Sequence, residues 1–318
     1  MVLSLTERMW CGMSNLNMQV NIAGVEFKNP VTTASGTFSA KDSSKFYDIS
    51  ALGAVITKGI APVAWDGNDT PRIAESYGGM LNSVGLQNPG VDKYIEEELP
   101  FLRNYDVPVI ANVVGKSIGE YCEVAEKLNE TDIAMMEINI SCPNVKEGGI
   151  SFGADAKMAA MLTKQVKSVS KKPVILKLTP NVGNIAEIAK AVESEGADCI
   201  SLINTLLGMK IDIYKKRPVL ANIMGGLSGP AVKPVALRMV YQVRRAVDIP
   251  IIGLGGIMSG EDAVEFIMAG AGAVSVGTAA LVNPTAPIDV ISGLKKYMEE
   301  QGMKSIGELK QSYELRNM

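Results

Sequence analysis

The stretch PIIGLGGIMSGEDAVEFIMAGAGAVSVGT (residues 250–278) decides the fold. PIIGLGG (250–256) is an apolar run that stops at two glycines, and AVSVGT (273–278) is another that stops at Gly277 and Thr278. Between them, SGEDAVEFIMAGA (259–271) spaces its apolar residues at i, i+3/i+4 and i+7, with Ser259 or Gly260 near its start and Gly270 near its end. That is the signature of an amphipathic helix with its stop signals. Strand, helix and strand at this spacing form a βαβ unit.

Working outward, the same alternation repeats. Six further apolar runs precede it: PVTTAS (30–35), AVITKG (54–59), PVIANVVG (108–115), MMEINIS (135–141), PVILKLTP (173–180) and CISLINT (199–205). Their near-continuous Val, Ile and Leu content suits parallel strands covered on both faces. Helical patterns at 117–130, 155–171, 184–197 and 234–247 fill the later intervals. Eight strands alternating with helices predict a (β/α)8 TIM barrel. The open doubly wound sheet is the alternative, but no GxGxxG follows the first strand. MQVNIAGVEFKNP (18–30) reads as a β-hairpin about Gly24 that caps the barrel floor. The segment 60–106, rich in Gly, Asn and Pro, is a long loop inserted after the second strand, and such loops in compact domains are usually functional.

Composition excludes several functions. With 47 % apolar and 20 % charged residues and a net charge of -3, the 318-residue chain has a substantial core and no basic surface for nucleic acid or an anionic membrane. There is no secretory signal and no apolar stretch of membrane-spanning length, so a soluble cytoplasmic protein is expected. The cysteines, Cys11, Cys122, Cys142 and Cys199, show no metal-ligand spacing. The chain has no histidine, which removes Ser-His-Asp and Cys-His hydrolase chemistry and His-ligated zinc. Acid–base work falls to Cys, Lys, Asp, Glu or Tyr.

In such barrels the C-terminal strand ends carry the chemistry. Here they offer Ser35, Lys58-Gly59, Asn112, Asn139 with Cys142 and Asn144, Lys177, Asn204-Thr205, Gly255-Gly256 and Gly277-Thr278. The glycine pairs of the last two strands are either tight turns or a phosphate site built from backbone N–H groups. Lys177 lies inside an apolar run, where an unpaired ammonium is costly. No acidic residue is evident at an adjacent strand end, so an anionic ligand or a Schiff-base role is expected, with a structural salt bridge as the alternative. Cys122 and Cys199 read as core, whereas Cys142 sits beyond a strand end among polar residues and before a Gly-rich segment. It is either a small buried hydrophobe or a reactive thiol.

The motifs ASGTF (34–38), NSVGLQNPG (82–90), NISCPN (139–144), ILKLTP (175–180), GGLSGPA (225–231) and GLGGI (253–257) resemble, in order, those of the dihydroorotate dehydrogenases. The similarity runs from about residue 18 to 300, which leaves 1–17 as an N-terminal extension of a single barrel domain, 1–318. NISCPN with NSVGLQNPG is specific, whereas GLGGI alone would be weak.

The resemblance implies FMN-dependent oxidation of dihydroorotate to orotate in pyrimidine biosynthesis. Cys142 would be the base that removes the C5 proton, with the C6 hydride passing to FMN. It also implies Asn82, Val84, Gly85, Leu86, Asn139, Asn144, Asn204 and Thr205 around the substrate. Lys58 would lie between flavin and substrate, and Lys177 beside the flavin pyrimidine. Ser35, Gly59, Asn112, Asn139, Ile203 and Gly229 would contact the flavin, with Gly255, Gly256, Gly277 and Thr278 at its phosphate. VKEGGISFG (145–153) would be a lid.

A Cys rather than a Ser base places the chain with the soluble class. NTLLGMKID (204–212) resembles its NAD-linked branch, in which a homodimer joins electron-transfer subunits carrying FAD and a [2Fe–2S] cluster as a heterotetramer. A fumarate-linked soluble enzyme and a Lys177 Schiff-base aldolase are the alternatives.

Overall fold

A computed structural model describes residues 16–141, 146–147 and 150–312. Eight strands form the central sheet: β1 (Val31–Thr33), β2 (Val55–Ile56), β3 (Val109–Val113), β4 (Met135–Asn139), β5 (Val174–Lys177), β6 (Cys199–Leu202), β7 (Ile251–Leu254) and β8 (Ala273–Val276). They pair in the order β1-β8-β7-β6-β5-β4-β3-β2, each to its neighbour in parallel. Every residue of all eight is buried, which is why their sequences are continuous apolar runs rather than alternating ones.

The seam between β1 and β2 closes the barrel partly through side chains. Gly53 N–H donates to Val31 O at 2.9 Å, and Thr32 bridges Ala54. Thr33 Oγ1 then accepts from Ile56 N–H at 2.8 Å and donates to Ile56 O at 3.1 Å, in place of the missing ladder bond.

The five helical patterns fold as Ile118–Asn129, Ala156–Val169, Ile185–Ser194, Lys233–Arg244 and Gly260–Met268. Three of the five starts are set by side-chain caps: Ser117 for Glu120 N–H, Asp155 for Met158 N–H, and a Ser259–Asp262 capping box. Two further helices, Ala286–Glu300 and Ile306–Ser312, complete the chain's C-terminal side, where Asn17 N–H donates to Lys304 O at 2.8 Å. The hairpin Val20–Ile22/Val25–Phe27 turns at Ala23 and Gly24, both with positive φ, as its sequence predicts. Ile22 is buried beside Gly272, directly before β8, so the hairpin closes the N-terminal end of the barrel.

The long insertion departs from its reading as a loop. It contains a second hairpin, Ile73–Ser76/Gly79–Asn82, followed by helical turns from Val91 to Leu102. The hairpin joins Met224–Ser228 and Leu206–Met209, from the β6 connection, in a four-stranded antiparallel sheet. Glycine-containing strands such as GMLN and MGGLS lack the apolar alternation that marks a strand locally, so only pairing between remote segments reveals them.

Candidate active site

Lys177 ends β5 and is in register with Asn139 at the end of β4, while Ile175 is in register with Glu137. Strand alternation therefore puts Glu137 and Asn139 on one face, with Glu137 a layer deeper. Lys177 Nζ donates to Ser35 Oγ at 3.0 Å and lies 3.5 Å from Glu137 Oε1. The side chains of the pair are only 5 % and 0 % exposed. Glu137 accepts Asn112 Nδ2–H at 2.6 Å through Oε1 and the Ser201 hydroxyl at 2.7 Å through Oε2. A buried carboxylate with both oxygens hydrogen-bonded and a cation beside it is a satisfied one.

This corrects the expectation that Lys177 lacks an acidic partner on an adjacent strand. Glu137 stands in the apolar run MMEINIS, two residues before Asn139, and that spacing was the available signal. The pairing also removes support for a Schiff-base role, since a nucleophilic amine must be neutral. Asn112 donates its amide N–H to Glu137, which leaves Asn112 Oδ1 buried without a hydrogen-bond partner. That oxygen faces Gly59, 3.1 Å from where a side-chain Cβ would stand. An unpaired buried acceptor at the mouth of a barrel is a place for a ligand donor.

Asn139, Asn204 and Thr205 converge through Ser141. The Ser141 hydroxyl donates to Asn139 Oδ1 and accepts from Asn204 Nδ2–H, and Asn204 Oδ1 accepts Thr205 N–H at 2.8 Å. Ser141 was not among the expected site residues. Asn82 reaches the group from the antiparallel sheet, where its amide donates to Gly226 O at 3.4 Å. Gly226 is required there, because a Cβ would fall 2.0 Å from Thr205 Oγ1. Val84, Gly85 and Leu86 form a turn tied to Asn68 and Asn88, with Asn68 N–H on Val84 O at 3.0 Å and Asn88 Nδ2–H on Leu86 O at 2.8 Å.

Cys142 and Asn144 lie outside the described residues, as does part of the 145–153 segment. Its described ends are a short pairing of Lys146–Glu147 with Ile150–Ser151, and a buried Phe152 set edge-on against Tyr121 with ring centroids 6.0 Å apart. Tyr121 in turn donates to Asn139 O at 2.9 Å. The segment after β4 is thereby anchored to the strand that carries Asn139. Cys199 is fully buried and Cys122 half-buried, and burial pushes both thiols up.

The glycines of the last two strands meet a third. Gly255 and Gly256 have φ of +124° and +81°, and a Cβ on Gly256 would lie 2.9 Å from Gly229 O. Ser228, before Gly229, bonds Thr278 at 2.8 Å, and Ile203 packs against Gly255. Gly229, Gly255-Gly256 and Gly277-Thr278 thus share one side of the mouth. Lys58 ends the run after β2 and borders a cavity of about 220 Å³ with Phe38, Lys41, Lys93, Glu98 and Phe101. Burial lowers the Lys58 pKa, Arg72 adds to this, and Glu98 opposes it.

A (β/α)8 barrel that gathers amides, a paired buried ammonium and glycine turns at the C-terminal ends of its strands is an enzyme built for a small polar ligand and an anionic group. The dihydroorotate dehydrogenase family model matches residues 17–298. The catalytic subunit of dihydroorotate dehydrogenase B (NAD(+)) from Alkaliphilus metalliredigens is 62 % identical over 94 % of this chain and 100 % of its own length. The proteins of the same name from Alkaliphilus oremlandii and Lachnoclostridium phytofermentans are 57 % and 58 % identical, covering 93 % and 92 % of this chain and 99 % and 98 % of their own. The chain belongs to the dihydroorotate dehydrogenase family.

Proposed function

We propose that this protein oxidises dihydroorotate to orotate in pyrimidine biosynthesis, as the catalytic subunit of an NAD-linked dihydroorotate dehydrogenase. The observation that carries the reading is the buried Lys177–Glu137–Asn112 cluster beneath the Asn82, Asn139, Asn204 and Thr205 group. Its chemistry fits FMN. An isoalloxazine edge carries one N–H between two carbonyls, and the cluster supplies an unpaired acceptor, Asn112 Oδ1, and a cation. FMN would accept the hydride released from C6 of dihydroorotate.

The chain's own residues supply the rest. Cys142 removes the C5 proton; a thiol suits this because its pKa of about 8.5 needs only modest lowering. Asn82, Asn139, Asn144, Asn204 and Thr205, with the Val84–Leu86 turn alongside, hold the substrate, because carboxamides offer both donors and acceptors to its imide-like edges. Lys58 balances the substrate carboxylate. Lys177 would balance negative charge on a reduced cofactor. Ser35, Gly59, Asn112, Asn139, Ile203 and Gly229 would border the ring, and Gly255, Gly256, Gly277 and Thr278 would hold the phosphate. The whole chain acts as one barrel domain.

Electrons leave through a second subunit with FAD and a [2Fe–2S] cluster, in a heterotetramer built on a homodimer. The reading rests on a spectrum: the protein as isolated should be yellow with bound FMN, and anaerobic dihydroorotate should bleach it. A colourless protein that cannot be loaded with FMN, or a flavin untouched by dihydroorotate, overturns it.

A further inference from the structure

We infer that Glu137 is a positioning residue that sets how the barrel meets its cofactor, through Lys177 and Asn112 at once; the inference rests on the proposed flavin reading. Glu137 has no exposed surface and lies a layer below the residues that border the site. A carboxylate only accepts hydrogen bonds, so Asn112, 2.6 Å away, must turn its amide N–H inward and present Oδ1 outward beside Gly59. A neutral amide in place of Glu137 would accept or donate and would release that choice. The second effect is electrostatic. Glu137 stands 3.5 Å from Lys177 Nζ, whose other partner is the neutral Ser35 hydroxyl at 3.0 Å. Glu137 therefore offsets the positive charge of Lys177, the one fully buried lysine among the described residues, which a reduced, negatively charged cofactor would meet. Ser201 holds the far oxygen at 2.7 Å and fixes the carboxylate in place.

The pair predicts a specific electrochemical behaviour. With Glu137→Gln, Lys177 keeps its attraction for the negative charge formed on reduction and loses the carboxylate that offsets it. Reduced FMN should gain at least tenfold in affinity relative to oxidised FMN, which is a rise of about 30 mV in the two-electron midpoint potential. If Glu137 acts through Lys177, adding Glu137→Gln in a Lys177→Met background should change that ratio less than threefold. A residue that only supported packing would weaken both forms alike and leave the ratio unmoved.

The test is spectroelectrochemistry of FMN bound to the wild type, E137Q, K177M and the double variant, with oxidised FMN affinity from titration of the apoproteins. A ratio in E137Q within twofold of wild type, or an equal shift in the K177M background, overturns the inference while leaving the flavin reading intact. Should E137Q not fold, Glu137→Asp decides. It keeps the charge, so the potential should stay within about 10 mV of wild type, a twofold change in the ratio. Its shorter arm loosens Asn112, so oxidised FMN affinity should fall at least fivefold; wild-type affinity in E137D overturns the inference. A wild type that binds no FMN overturns the function and this inference together.

Discussion

At the residue scale, chemistry and stability separate cleanly between Cys142 and Glu98. If Cys142 is the base, Cys142→Ala should still bind orotate, because the asparagines remain, but should reduce its flavin roughly 100-fold more slowly or worse in stopped flow. Cys142→Ser should keep a small activity that rises with pH, since a hydroxyl ionises far less readily than a thiol. A wild-type reduction rate in the alanine variant would place the base elsewhere. Glu98 lies in the half-buried wall of the cavity beside Lys58, and burial raises its carboxyl above the ordinary range, against the pull of Lys41 and Lys58. The folded state therefore binds this proton more tightly than the unfolded chain. The resulting destabilisation is absent below the unfolded pKa, near the ordinary glutamate value of 4.5, and is complete once pH exceeds the raised folded value. Glu98→Gln should thus raise Tm at pH 7 and bring no gain at pH 4, as thermal melts at the two pH values will show.

At the element scale, the antiparallel sheet and the barrel build one site from two layers. Asn82 comes from the sheet, Asn139 and Lys177 from barrel strands, and Asn204-Thr205 from the connection that leaves β6 for the sheet. The layers touch where Gly226 passes Thr205. Gly226→Ala would put a methyl 2.0 Å from Thr205 Oγ1, inside any permitted contact, so strand and loop must move apart. The expected outcome is orotate affinity lowered at least tenfold, read by flavin absorbance titration, with FMN retained because the glycine turns of β7 and β8 are untouched. Orotate affinity equal to wild type would show that Thr205 does not touch the substrate.

At the scale of the whole molecule, the outer sheet and its flanking ribbon expose Tyr77, Leu207, Ile211, Ile213, Tyr214 and Ile223, with Tyr77 101 % and Tyr214 90 % exposed. Among the described residues no helix is long and apolar enough to cross a membrane. The chain alone should oxidise dihydroorotate with artificial acceptors and reduce NAD poorly. Adding the FAD and iron–sulfur subunit should restore NAD reduction at least tenfold. Rapid NAD reduction by the isolated chain, or rapid turnover with fumarate, would remove the NAD-linked assignment and leave the dihydroorotate half-reaction standing.

Local chemistry alone determined the barrel and marked the polar residues at its strand ends. Eight apolar runs fold as the eight buried strands because parallel strands covered on both faces must be apolar throughout, and polar residues interrupting such runs, Asn112, Asn139 and Lys177, stand out against them. The resemblance then implied roles for Cys142 and Asn144, which lie outside the described residues. Tertiary structure decided what depends on partners remote in the chain. The hairpin Ile73–Ser76/Gly79–Asn82 becomes sheet only by pairing with Met224–Ser228. Glu137 becomes a counter-ion only because β3, β5 and β6 bring Asn112, Lys177 and Ser201 to its two oxygens. A run such as MMEINIS shows that a carboxylate is buried; only the folded barrel shows what it is buried against, because a buried charge is defined by its neighbours rather than by its place in the chain.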